Sequence, residues 1–506
     1  MALARAWSVA LYGVDGVAVE IEADVGAGSV KTQLLGLPDA ALHESKERVK
    51  AAVRNSGHEW PSQRVTLGLS PATLPKGGSG YDLALACCVL VASKAVQTDR
   101  LGGTVLLGEL ALDGRVRTVR GILPALLAAR RSGLRRAVVP VEGLGEAALV
   151  DGVELLGAAT LVDVIAWLEG DDEALEAPPG RDEPVTPAAP DLADVVGQPE
   201  ARWALEVAAA GAHHLLLVGP PGTGKTMLAQ RLSGLLPPLS LEEALSVTAV
   251  HSIAGLLSAA APLVAIPPFV TLHHSASMAA LVGGGAGLAK PGAVSRAHRG
   301  VLFLDEVCEF GQANLDALRT ALEDGEIQLA RRDGIVRYPA RCQLVLATNP
   351  CPCAPPKEVD CCCRPTARRR YLAKLSGPLL DRVDLRVKMR PLTAMSGAEV
   401  GEPEPTSAVR ERVLKARARA AQRWAAHGYG WRTNAEVPGP VLRREFALPR
   451  QVTALLDRGL ASGALTGRGA DRCLRVAWTL ADLAERDRPE ADHVAAALEF
   501  RERRSV

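Results

Sequence analysis

Along the chain the spacing of apolar and polar positions changes character three times. Short apolar runs bounded by turns, at 17–21 and 66–69, read as strands. Helical spacing follows at 82–93 and again at 124–131, with the turn Leu112-Asp113-Gly114 between them. This mixture predicts an α+β unit over residues 1–170. From residue 195 the pattern becomes unbroken apolar runs, at Leu215–Val218, Val301–Leu304 and 344–348, alternating with helical segments, one of which starts at Pro199. Strands buried on both faces and separated by helices predict an α/β layer with a largely parallel sheet across 195–392. After a proline-containing break at 391–405, helical periodicity dominates at 407–424, 451–461, 471–485 and 490–501, which predicts an all-helical domain over 393–506. Between the first two units, acids gather with Pro178, Pro179, Pro184, Pro187 and Pro190. With little apolar pattern, this stretch reads as an exposed linker over 171–194.

Composition sharpens this only in places. With 48% hydrophobic and 23% charged residues and a net charge of +1 over 506 residues, the chain is not disordered, collagen-like or a polyelectrolyte. No run nears the ~20 apolar residues of a membrane helix. The N-terminus, Met-Ala-Leu-Ala-Arg-Ala-Trp, lacks the basic and apolar regions of a secretory signal. Ten cysteines at mostly irregular spacing do not make a secreted disulfide framework. A cytoplasmic location without a membrane partner is expected. Of the 58 basic residues 47 are Arg, and 17 residues are aromatic, a bias that GC-rich codon usage alone would also produce.

The chemistry concentrates after the linker. Gly219-Pro220-Pro221-Gly222-Thr223-Gly224-Lys225-Thr226 follows an apolar strand and opens a helical pattern. Its glycines let backbone N–H groups face phosphates, Lys225 reaches the β and γ oxygens, and the Thr226 hydroxyl can ligate Mg²⁺. About 80 residues later the strand Val301–Leu304 delivers Asp305 and Glu306 at its C-terminal end, where open α/β sheets place their sites. Asp305 is expected in the Mg²⁺ shell, and Glu306 is expected to polarise the attacking water. Asn349 ends the next buried strand and is placed to orient water or the γ-phosphate. Arg382, in Ser376-Gly-Pro-Leu-Leu-Asp-Arg382, suits an arginine finger that serves a neighbouring subunit.

These motifs resemble the AAA+ ATPases of the magnesium-chelatase-like branch. Within it, His273-His-Ser-Ala-Ser-Met-Ala-Ala-Leu-Val-Gly-Gly-Gly285 and Ala297-His-Arg-Gly-Val-Leu-Phe-Leu-Asp-Glu306 resemble the ComM/YifB group, as does the segment from Gly36-Leu-Pro-Asp to Arg54-Asn-Ser56. The resemblance spans essentially the whole chain. It implies ATP and Mg²⁺ as cofactors, a homo-oligomer in the form of a hexameric ring, and branch migration of recombining DNA during natural transformation. It also implies an insert between the phosphate loop and Asp305, with the Gly283–Gly285 segment facing the ring pore; by structure alone that segment is equally a surface loop. In the helical lid, Arg475 is the candidate second sensor, with Arg472 and Arg468 as rivals.

The N-terminal unit resembles the proteolytic domain of Lon-type proteases (a ribosomal S5 domain 2-like fold) through residues 69–80 and 107–114. That chemistry needs a serine activated by a lysine base. Here the helix around Ile122–Arg131 contains no lysine, and Ser79 sits one position early with Gly80 in the expected slot. The unit is expected to be inactive as a peptidase and to serve as a structural collar.

Two further features stand apart. Cys351-Pro-Cys353 and Cys361-Cys-Cys363 offer two C-x-C pairs, which give either four thiolates for Zn²⁺ or a reduced, metal-free loop. Residues 364–390 hold nine basic residues against Asp381 and Asp384, either to neutralise DNA phosphates or as solvated faces and interprotomer arginines. With few aromatics, any grip on DNA is expected through the backbone, without sequence specificity. The leading expectation is an ATP-driven DNA motor. A chelatase-type motor subunit and a protein-remodelling chaperone are the alternatives, and an ATP-dependent protease is disfavoured by the missing lysine.

Overall fold

The computed structural model describes residues 2–74, 76–180, 189–258, 260–285, 289–331, 334–356, 358–375, 377–391 and 403–502. The middle of the expected linker (181–188) and most of the break before the helical domain (392–402) lie outside the described residues.

The N-terminal unit is built on a seven-stranded mixed sheet. Its centre is the long antiparallel pair Ala2–Tyr12 and Asp15–Gly26, closed by a tight turn in which Gly13 has φ +63°. The second of these strands alternates buried and half-buried positions from Val19 to Ala23 and runs well past the apolar run at 17–21. On one side the sheet continues through Arg64–Ser70 and Thr32–Leu35, and on the other through Thr104–Leu106, Arg136–Pro140 and Glu154–Ala158. The helix Asp82–Ala92 is apolar all round and is buried along nearly its whole length, with Cys87 and Cys88 as packing residues. The exposed linker proves shorter than 171–194. Leu175 is buried, and Glu176 exchanges backbone hydrogen bonds with Gly157, so this stretch still belongs to the first unit.

The second unit carries a five-stranded, all-parallel sheet in the spatial order Phe269–Leu272, Val301–Leu304, Gln343–Thr348, Leu215–Val218, Leu385–Lys388. The three strands read from the sequence are the central three, each buried throughout. The edge strand Phe269–Leu272 is half-exposed and lacked a clear apolar signal. Two histidines, the half-buried His214 and the buried His298, set the approach to the strand Gln343–Thr348: His214 Nδ1 accepts from Leu344 N (3.0 Å), and His298 Nδ1 accepts from Arg341 N (3.1 Å). The glycine run Gly283–Gly284 pairs antiparallel with Lys290–Pro291, so the expected loop begins as the stem of a hairpin; its residues 286–288 lie outside the described residues.

The C-terminal domain is helical as expected, with Thr406–Ala426, Arg450–Ala461, Gly467–Leu483 and Ala491–Glu502 as its main helices. Trp424 is fully buried at its centre, edge-on to Phe446 and Trp478, and its Nε1 donates to Asn434 Oδ1 (3.2 Å). One apolar core joins this domain to a face of the parallel sheet through residues such as Leu217, Val345, Val413 and Trp424. A polar knot joins them again. Asp191, re-entering from the linker, accepts from Thr406 N (2.8 Å), while its carbonyl accepts from Arg231 Nε (2.6 Å) on the helix Lys225–Leu235.

Candidate functional site

Parallel strands end together, so the loops after Val218, Leu304 and Thr348 meet at one edge of the sheet. The loop after Val218 is shaped by its glycines. Gly222 (φ +76°) and Gly224 (φ +86°) are left-handed, and a Cβ on Gly219 would lie 2.7 Å from Met389 O. Pro221 and Gly222 are exposed, whereas Thr223 is buried with its hydroxyl donating to Pro220 O (2.9 Å). Gly224 caps the helix that begins at Lys225, which leaves that helix N-terminus facing the loop.

Lys225 Nζ donates to Gly219 O (2.6 Å), Pro220 O (2.9 Å) and Asn349 Oδ1 (3.2 Å). Burial lowers its pKa, and the nearby carboxylates of Asp305 and Glu306 oppose the shift. Thr226 Oγ1 donates to Asp305 Oδ2 (2.7 Å), so the two expected Mg²⁺ ligands are adjacent. A hydroxyl and a carboxylate beside a phosphate-binding loop are hard oxygen donors and fit Mg²⁺. Asp305 Oδ1 accepts from the amide of Glu306, which is held in the left-handed region (φ +50°). That conformation turns the Glu306 side chain toward His274, whose Nδ1 lies 3.1 Å from Oε2.

His274 was missed as a functional residue. It follows the edge strand Phe269–Leu272, and its ring packs on His273 with centroids 4.0 Å apart. The consecutive histidines two residues from a strand end were the available signal. Nothing in the sequence alone pairs that strand with Val301–Leu304.

Arg382 stands elsewhere. It follows the short helix Gly377–Leu380 and precedes the strand Leu385–Lys388, at the opposite end of the sheet from the phosphate loop; Ser376 lies outside the described residues. The four-residue strand Leu215–Val218 alone separates these ends by about 10 Å. Arg382 is buried against Glu323, and burial together with Arg319, Arg472 and Arg468 lowers its pKa. Arg472 Nη1 donates to the buried Asp384 (2.6 Å), while Arg475 Nε donates to Val437 O (2.7 Å) within the helical domain. Burial raises the Asp384 pKa, but Arg472 and His213 outweigh it and hold the carboxyl well below its usual range.

In the N-terminal unit Ser79 Oγ donates to Glu109, not to a lysine. Lys76 is fully buried, and its Nζ donates to the carbonyls of Gly36 (2.9 Å), Leu74 (2.8 Å) and Pro71, which leaves its ammonium protons engaged. Cys351, Cys353, Cys361 and Cys363 converge, with their sulfurs all within 4.8 Å of one another. The basic stretch after them forms the helix Pro365–Leu372, where Tyr371 is buried and Arg369 and Arg370 are exposed. No helix among the described residues is long and apolar enough to cross a membrane.

Comparison with known proteins gives three family matches along the chain: subunit ChlI of Mg-chelatase at 21–143, magnesium chelatase subunit ChlI at 191–396, and the ChlI C-terminal region at 403–501. The uncharacterized protein Rv2897c of Mycobacterium tuberculosis is 61% identical over 503 residues, 99% of each chain. YifB of Escherichia coli is 39% identical over 502 residues, covering 99% of this chain and 97% of its own. The competence protein ComM of Haemophilus influenzae is 39% identical over 519 residues, covering 99% of this chain and 98% of its own.

Proposed function

The chain belongs to the magnesium-chelatase-like family that includes YifB and ComM, and from that premise we propose an ATP-driven motor that acts on DNA. The observation that carries the ATPase is the convergence of Lys225, Thr226, Asp305, Glu306 and Asn349 at one sheet edge. Lys225 and the loop amides bind the phosphates, and Asn349, already bonded to Lys225, positions the terminal one. Glu306 orients the attacking water and takes its proton. Bound Mg²⁺, held through Thr226 and Asp305, would supply charge neutralisation at the transferring phosphate.

Arg382 serves a neighbour. It lies at the opposite end of the sheet from its own phosphate loop, with about 10 Å of strand between them, so its charge reaches a γ-phosphate only across a subunit interface. That reading carries with it a homo-oligomer, for which we propose a hexameric ring. The second-sensor role falls to the same arginine group, Arg475 with its rivals Arg472 and Arg468. The Gly283–Gly285 stem is our candidate pore segment.

Kinship with a competence protein and the exposed arginines of Pro365–Leu372 support DNA as the partner. The contacts are to the backbone, for branch migration in recombination and natural transformation in the cytoplasm. A chelatase-type motor subunit is the second reading, favoured by the description of the matching families. A protein-remodelling chaperone is a third. The N-terminal unit serves as a collar without peptidase chemistry. ATP-dependent unwinding of a synthetic four-way junction, with Lys225→Ala as control, tests the lead reading. Junction processing and DNA-stimulated hydrolysis are expected; their absence in the assembled protein refutes it.

A further inference from the structure

We propose that Cys351, Cys353, Cys361 and Cys363 bind one structural Zn²⁺ as a tetrathiolate. The proposal is independent of the motor reading. Cys351–Cys353, Cys351–Cys361 and Cys353–Cys361 sulfurs lie 3.4, 3.4 and 3.6 Å apart. A disulfide requires about 2.05 Å, so these are free thiols in contact and not bridges. A tetrahedral site with Zn–S bonds of about 2.3 Å has sulfur–sulfur edges of about 3.8 Å, close to what the quartet already shows. Iron–sulfur clusters spread their thiolates over two or more irons and need a wider cage than 4.8 Å.

The backbone is arranged for sulfur anions. The amides of Ala354 and Cys362 face the sulfurs of Cys351 and Cys353, and the amide of Cys353 faces that of Cys363. Ala354 adopts φ +42° and donates its amide to Cys351 O (3.2 Å), which folds the first C-x-C pair into a knuckle. Each thiol that ligates releases its proton to solvent, and the tetrathiolate keeps two negative charges beside Arg364.

The site's place in the fold gives it a task. Cys351 is buried two residues after Asn349, and Cys363 lies two residues before the helix Pro365–Leu372. Zinc therefore pins the exit of the strand that carries Asn349 to the start of the basic helix. Cys362, exposed and outside the quartet, is a built-in control.

Full-length protein purified under reducing conditions from zinc-supplemented culture is expected to contain one zinc per chain by elemental analysis. Cys362→Ser keeps that metal, whereas Cys353→Ser and Cys361→Ser lose it. If those two variants do not fold, the wild-type protein still decides. Titration of its thiols with an organomercurial is then expected to release one zinc, read by a chromogenic chelator, as the four ligand thiols react in addition to the exposed Cys362. Wild-type protein without zinc, or with iron in its place, overturns the proposal. So does zinc that persists in Cys353→Ser and Cys361→Ser, or organomercurial titration without zinc release.

Discussion

Replacing His274 by alanine isolates one contact of the nucleotide site. His274 Nδ1 lies 3.1 Å from Glu306 Oε2, with side chains 32% and 48% exposed. Pairs this open to solvent contribute about 0.2–1 kcal/mol, because water screens the attraction and two side chains are ordered to make it. If that contact holds Glu306 away from the attacking water, its loss raises basal ATP turnover by roughly 1.4- to 5-fold. Glu306→Gln removes the proton acceptor itself, and turnover is expected to fall about 10²–10⁴-fold, with nucleotide binding retained. Steady-state phosphate release gives the rates, and titration with a fluorescent ATP analogue gives the affinities. A His274→Ala protein as inactive as Glu306→Gln would place the histidine in the chemistry and refute its role as a tether. Loss of nucleotide binding in Glu306→Gln would show that the carboxylate had been misassigned.

Lys225→Ala is expected to abolish nucleotide binding, measured with the same analogue, because it removes the cation at the loop. Arg382→Ala should bind ATP and assemble normally yet hydrolyse little. Mixed with Lys225→Ala it should regain activity, since some interfaces then pair an intact Lys225 with an intact Arg382; a mixture as inactive as its components removes the trans assignment. Trp424→Ala empties the centre of the helical domain and should cost about 3–5 kcal/mol in denaturant melts. Burial drives the His214 pKa down to about 4 and that of His298 to about 3, and both accept backbone amides as neutral rings. The unfolded chain therefore binds the extra protons, so stability is full above about pH 6.5 and falls as pH drops toward 4, by about 3 kcal/mol from His214. His214→Asn should flatten that slope in melts between pH 7 and 4.5.

The central strands were legible because full burial leaves unbroken apolar runs, and Leu215–Val218 and Val301–Leu304 have the bounds read from the sequence. Their loops were legible because phosphate chemistry restricts which residues can stand at 219–226 and 305–306. The edge strand Phe269–Leu272 was hidden by its mixed exposure, and with it the pairing of His274 with Glu306. The antiparallel hairpin Glu326–Arg331 and Gly334–Pro339, which separates Asp305 from Asn349 along the chain, was not anticipated either. Its alternating polar face lies largely open and produces no apolar run. Helix phase left Arg468, Arg472 and Arg475 unranked, because their separation depends on partners in other elements: Asp384 before the last sheet strand for one, Val437 for another. The start of the linker was misjudged because a short stretch with little apolar pattern is docked by Leu175, the Arg100–Asp172 pair and a backbone bridge from Glu176 to Gly157.

The meeting of Asp191, Arg231 and Thr406 has a mechanical consequence. The helix that begins at the phosphate-binding lysine, the tether from the N-terminal unit and the first helix of the lid are fastened at one point. Torque on that helix is delivered to both neighbours together, as through a shared axle. Asp191→Ala should uncouple the transmission and leave the engine running: hydrolysis continues, and work on the partner is lost.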